Sequence, residues 1–261
     1  MRIRRITAAL CLLAAPALLA AGCGGSDSDT GGSEGSSSFR LGLEAPLSGE
    51  QSVLGQGMLK GAELAADRLN QKGGIEGKEV EIVPIDDAAD PETGVEAAEE
   101  AIEAGLDGIV GPYNSGVGIE TLPLYIDAGL VPVRLTSDNS TNGLGYTLQP
   151  MTYQIAPVAS EALTSWLHAK KVAIAYDPTE LYTRVVSETL KGLLEKAGVE
   201  VTAFEKIKPG EDDYSSVVEK LEAKKPDVIY AGVYYPEGGL IAKAMHDNNA
   251  AAKCVADYGS Y

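Results

Sequence analysis

Two short polar runs carry the chemistry that this chain can offer a small anion. Asn114-Ser115-Gly116 follows an apolar stretch that ends at Gly111, and Thr136-Ser137-Asp138 follows another that ends near Leu135. Both runs sit where a strand gives way to a helix or turn. At such a junction the first backbone N–H groups of the helix are unpaired, and with short hydroxyls beside them they can hold a carboxylate. Ser, Thr, Asn and Asp are also the preferred helix caps, so each run reads as a cap as well as an anion site.

Other polar groups point less clearly to chemistry. Asp86, Asp87 and Asp90 fall within one turn and read as turn and cap residues rather than metal ligands. The only histidines, His168 and His246, lie on predicted helices away from the glycine turns, so neither a metal site nor a histidine-based triad is well supplied. Gly55-x-Gly57-x-x-x-Gly61 is one residue off the dinucleotide fingerprint and follows a long loop instead of a tight strand–helix turn. Neither a phosphate loop nor a Gly-x-Ser-x-Gly elbow occurs. An enzyme on a doubly wound fold is therefore the weaker reading, and no cofactor or metal is expected.

The elements that must position these runs follow from hydropathy patterning. Strands are predicted at 40–45, 79–85, 108–110, 130–135, 172–176, 200–204, 228–231 and 254–256. Amphipathic helices fit between them at 54–71, 91–104, 116–128, 157–168, 181–197, 214–223 and 239–248. Gly73, Gly74 and Gly77 stop the first helix, Pro91 starts the second, and Gly198 stops the fifth. Alternating strand and helix units imply an α/β fold with parallel sheets covered by helices. Two such sets predict two similar lobes, 39–150 and 151–261, joined near 146–157.

The first residues read as an export signal. Arg2, Arg4 and Arg5 precede an apolar run, 8–19, that is too short to span a membrane. Small residues Ala20-Ala21-Gly22 then precede Cys23, as in a lipobox, although Ala20 fills the slot where leucine is usual. Residues 1–22 are thus expected to be a lipoprotein signal peptide and Cys23 the lipidated residue. Residues 23–38, built after Cys23 from Gly, Ser, Asp, Thr and Glu, form a flexible tether. The chain has 21 basic and 38 acidic residues, and loss of the three leader arginines leaves it near −20. That balance disfavours nucleic-acid binding. Of three cysteines, Cys254 alone remains after the leader and Cys23, so no disulfide forms within the mature chain.

Several blocks together resemble a known family. Ala45-Pro46-Leu47-Ser48-Gly49, Gly55 to Asn70 with Gly61-Ala62, Lys72-Gly73-Gly74-Ile75 with Gly77, Asp86-Asp87 with Asp90-Pro91, and Tyr234-Tyr235-Pro236-Glu237 occur in order over nearly the whole mature chain. The chain resembles the leucine/isoleucine/valine-binding type of extracytoplasmic solute-binding protein. The resemblance implies a type I periplasmic binding protein fold, two Rossmann-like lobes with a three-segment hinge, and an amino acid or related small polar ligand between them. It implies an ABC permease and its ATPase as partners, and an extracytoplasmic location tethered to the cell membrane. The family chain usually continues beyond a point like Tyr261, so a truncated second lobe is expected. The alternative is a ligand-sensing ectodomain of a receptor.

The resemblance also assigns ligand residues. Ser115 and Thr136 align with positions that hold the ligand's carboxyl end, with Asn114, Ser137 and Asp138 beside them. Tyr182 and Tyr234 match tyrosines of the cleft wall, and Asp257 lies near the family's acidic residue for the ammonium. Several positions depart from the family. Leu54 replaces a common aromatic residue, and Ala89 and Asn114 stand where close relatives carry a disulfide. Arg134 and Asp138 stand where uncharged residues are common, and Asp138 would repel a ligand carboxylate unless Arg134 neutralises it.

Overall fold

Alternation of buried and exposed side chains, interrupted by glycine turns, yields nine strands and seven α-helices in the computed structural model, which describes residues 38–260. The expected signal peptide, the Cys23 lipidation site and nearly all of the tether lie outside the described residues. The first lobe contains β1 (Ser38–Ala45), α1 (Ser52–Asn70), β2 (Glu79–Asp86), α2 (Pro91–Glu103), β3 (Gly108–Val110), α3 (Ser115–Asp127), β4 (Pro132–Arg134) and β5 (Tyr146–Thr147). Its sheet is parallel, in the order β2-β1-β3-β4-β5. After α4 (Thr152–Glu161), the second lobe follows as β6 (Lys171–Tyr176), α5 (Leu181–Lys196), β7 (Glu200–Lys206), α6 (Ser215–Glu222), β8 (Val228–Gly232), α7 (Glu237–Asp247) and β9 (Lys253–Ala256). Its sheet is also parallel, in the order β7-β6-β8-β9. In each sheet the order reverses beside the first strand, between β1 and β3 and between β6 and β8. Ligands bind outside the carboxyl ends of strands at such switch points.

Burial explains the strand sequences. β6 and β8 are apolar and buried almost throughout because helices cover both faces of their sheet. One side packs Ile229 and Ala231 against α6 and α7, and the other packs Ile174 and Tyr230 against α5. In the first lobe Ile85, Ile109 and Tyr125 form the corresponding core with Ala98 and Ala101 of α2.

The helix after the first lobe starts earlier than its proline suggested. Pro157 reads as a first-turn residue, yet α4 begins at Thr152 and Pro157 lies inside it. Docking sets the start. Thr152 donates from both its N–H and its hydroxyl to the Ser137 carbonyl, and Gln154 accepts from the Met151 N–H. The helix then widens into a π-helical turn, Ala162–Trp166, before ending. β4 is shorter than the predicted 130–135, because the Leu130 N–H closes the end of α3 on the Tyr125 carbonyl.

Candidate functional site

Residues past the carboxyl ends of both sheets line one cavity of about 600 Å³. The first lobe contributes Leu54 and Met58 from α1, Tyr113 after β3, Leu135 and Ser137 after β4, and Gln149 after β5. The second contributes Tyr182 from the first turn of α5, Tyr234 after β8, and Tyr258 and Gly259 after β9. The Tyr234 ring lies 5.4 Å from Tyr113 and 5.8 Å from Tyr182, centroid to centroid, so the aromatic wall crosses from one lobe to the other. Tyr258 closes the far side by donating its hydroxyl to Gln149 Oε1. The wall is mostly apolar with a few polar tips, as ligand sites usually are.

The two polar runs meet behind this wall. Ser115 Oγ accepts the N–H groups of Ser137 (3.2 Å) and Asp138 (3.1 Å), tying the start of α3 to the loop after β4. Among the runs, Ser137 lines the cavity, whereas Ser115, Thr136 and Asp138 are buried behind it. Thr136 Oγ1 accepts from Arg134 and bonds Thr141 Oγ1 at 3.0 Å. Asp138 caps a short 3₁₀ turn, Asn139–Thr141, through the Ser140 N–H and hydroxyl. Asn114 precedes α3, yet its side chain caps nothing. It donates instead to Gln51 Oε1 at 3.0 Å and to Glu180 Oε2 at 3.2 Å.

Asp257 lies at the floor of the tyrosine wall and is 2% exposed. It accepts from the Tyr230 hydroxyl and from the Gly259 N–H, with the Tyr182 hydroxyl beside it but without a well-aligned hydrogen bond. Burial pushes its carboxyl above the ordinary range, and the neighbouring hydroxyls pull only partly against this. Glu180 is likewise raised, to about 7, by burial; the Asn114 and Gln51 amides oppose the shift, and Asp177 adds to it. Arg134 and Asp138 do not pair: among the described residues no carboxylate lies within 4 Å of the guanidinium.

The acids of the first-lobe turn serve the backbone. Asp86 Oδ1 accepts from Leu47, Ser48 and Ala88, and Asp90 caps α2 through Thr93. Glu237 opens α7 and accepts from the Gly210 N–H. Among the described residues no cluster of His, Cys, Asp or Glu is arranged to hold a metal ion. None of their helices is long and apolar enough to cross a membrane.

Sequence reasoning missed Tyr113, Tyr258, Gln149 and the Gln51–Glu180 contact. Tyr113 carried a usable signal, since it lies just past the strand that ends at Val110, beside a switch point. Nothing in the sequence marked Gln51 or Gln149, whose partners lie 129 and 109 residues away.

Known proteins share this fold. The family model described as periplasmic binding protein matches residues 38–259. A Leu/Ile/Val-binding protein, BraC3, from Rhizobium johnstonii is 34% identical over 224 residues, covering 84% of this chain and 61% of the relative. The LivJ substrate-binding protein of Streptococcus pneumoniae, solved with isoleucine, superposes with a TM-score of 0.74 at 24% identity, over 84% of this chain and 64% of that one. A solute-binding protein from R. palustris, solved with 4-hydroxybenzoate, gives 0.71 at 21% identity, over 84% and 61%. The chain thus spans about 60% of the length of the relatives it matches. With two parallel sheets in the type I arrangement and a family model that matches residues 38–259, the chain belongs to the periplasmic binding protein family.

Proposed function

We propose that the protein is the extracytoplasmic receptor of an ABC importer, and that lobes 39–150 and 151–261 close on a small carboxylate-bearing ligand. The observation that carries this reading is the cavity of about 600 Å³ bounded by the Ser137 loop on one side and by Tyr182 and Tyr234 on the other. An amino acid, branched-chain or related, is the first choice. Its carboxylate meets Ser137, in the loop that Ser115, Thr136 and Asp138 hold from behind, with Asn114 at the adjoining start of α3. Its ammonium meets the faces of Tyr182 and Tyr234 and the field of Asp257. Cys23 carries the lipid that tethers the receptor to the membrane, beside its permease and ATPase.

A second reading, an aromatic carboxylate, is favoured by one observation. Asp257 is already satisfied by Tyr230 and Gly259 and does not line the cavity, while four tyrosines do. Thermal-shift and calorimetric titration with leucine, isoleucine, valine, 4-hydroxybenzoate and urea separates these readings. Saturable binding of an aliphatic amino acid supports the first, and binding of 4-hydroxybenzoate alone supports the second. Binding of none of the panel removes the receptor reading for these ligands.

A further inference from the structure

Arg134 is 1% exposed, at the last position of β4, directly before the loop that forms one wall of the cleft. Side chains alternate along this segment. Leu135 and Ser137 line the cavity, whereas Arg134 and Thr136 turn away from it and are buried. The guanidinium meets only neutral acceptors. Nε donates to the Leu144 carbonyl at 2.7 Å; Nη1 donates to the Thr136 carbonyl at 2.7 Å and hydroxyl at 2.9 Å and approaches Met151 Sδ at 3.7 Å. Burial lowers its pKa, but a guanidinium stays charged at any physiological pH.

The charge is therefore set behind the wall without a carboxylate to cancel it at contact distance. Asp138, four residues on, spends Oδ1 on Ser140 and leaves a buried Oδ2 unpartnered. A buried charge normally costs more than an apolar residue of similar size unless it is paired. Tying the loop to neutral acceptors explains the hydrogen bonds but does not require a permanent positive charge.

We infer that Arg134 is a specificity-determining residue of the cleft: from behind the Leu135–Ser137 wall its charge favours anionic over neutral ligands without touching them, and Asp138 opposes it. This rests on the reading that the cleft takes a carboxylate-bearing ligand. A unit charge acting across ~10 Å at an effective dielectric near 20 changes such a preference roughly tenfold.

The test compares a carboxylate with its neutral amide on the full chain: leucine against leucinamide, and 4-hydroxybenzoate against 4-hydroxybenzamide, by calorimetry. The quantity read is the ratio of the amide Kd to the carboxylate Kd. Arg134→Met is expected to lower that ratio about tenfold, Arg134→Lys to retain most of it, and Asp138→Asn to raise it. If Arg134→Met weakens both members of a pair equally, Arg134 is only a loop tie and the inference falls. Should that variant fail to fold, Asp138→Asn decides, because an unchanged ratio there also overturns the inference. Failure of the underlying reading looks different: the wild-type chain then binds no member of either pair.

Discussion

The side-chain amide of Asn114 donates to the Glu180 carboxylate across 3.2 Å, joining two loops 66 residues apart in sequence. Gln51 donates to the other oxygen of the same carboxylate. These contacts join the starts of α1 and α3 in the first lobe to the start of α5 in the second.

For the lobe closure proposed above, Glu180 introduces a dependence on pH. Burial in this contact raises its pKa from 4.5 to about 7; the Asn114 and Gln51 amides pull against the shift, and Asp177 and Asp87 push with it. Glu50 and Glu237 add further acid around the small cavity beside it. An open cleft returns Glu180 to water and to an ordinary pKa. The closed form then binds more protons than the open one between about pH 4.5 and 7, so closure weakens as pH rises through that window. Ligand affinity measured by calorimetry is expected to be higher at pH 5.5 than at pH 8. Glu180→Gln should flatten this dependence, and an unchanged slope in that variant would rule the mechanism out.

A second pH effect belongs to stability. Glu44 on β1 and Asp87 after β2 are buried and form no ion pair among the described residues, with Thr121 Oγ1 reaching Glu44 Oε2 at 3.4 Å. Burial, reinforced by Asp87, raises Glu44 to about 8. Burial also raises Asp87, to about 7, against the pull of the Ala89 N–H. Both folded pKa values lie above their unfolded ones, so the folded state holds the extra protons and stability falls as pH rises from about 4 to 8. A tenfold difference in proton affinity between folded and unfolded chain is worth about 1.4 kcal/mol, less whatever water reaches the two acids. The melting temperature should drop between pH 5.5 and 8, and Glu44→Gln should remove much of the drop. Equal slopes in wild type and variant would assign the effect elsewhere.

The fold was legible in the sequence wherever burial imposes a period. β1, β2, β6 and β8 stand out by alternation or by continuous apolar residues between glycine turns. Tyr146–Thr147 was not legible as a strand, because two exposed or half-buried residues carry no period. Pro157 misled for a different reason: docking of Thr152 on Ser137 outweighed a local start signal. At the site, the polar run after β4 supplied Ser137 and the resemblance supplied Tyr182 and Tyr234, which line the cavity, whereas Ser115 and Thr136, which the resemblance placed on the ligand, are buried behind it. The pairing of Ser115 with the next loop, and of Asn114 with Glu180, depends on long-range packing that spacing cannot encode.

The tyrosine wall should behave as one packed unit. Tyr234 is 5% exposed, stands between Tyr113 and Tyr182, and lies against Gly259, where an added Cβ would come within 2.9 Å of its ring. Tyr234→Phe keeps the ring and should change stability by less than about 1 kcal/mol. Tyr234→Ala should cost about 3 kcal/mol in urea unfolding and weaken binding of whichever ligand saturates the cleft. A Tyr234→Phe variant as damaged as Tyr234→Ala would shift the weight from the ring to the hydroxyl.

Two helical glycines separate packing from propensity. Gly61 in α1 faces open space, with nothing within 4 Å of an added Cβ. Gly118 in α3 faces Thr136, whose Cγ2 would lie 2.6 Å from that Cβ. Glycine in a helix interior costs about 0.5–1 kcal/mol relative to alanine. Gly61→Ala should recover that amount as a higher denaturation midpoint. Gly118→Ala gains the same propensity but must push Thr136 aside, and Thr136 is held by Arg134 and Thr141. That displacement reaches Ser137, whose N–H is fixed by Ser115 and whose side chain lines the cavity. Gly118→Ala should therefore lower stability and weaken ligand binding together, while Gly61→Ala leaves binding unchanged. Stabilisation by both substitutions would mean that the loop after β4 yields easily, and would remove the basis for treating it as a rigid wall of the cleft.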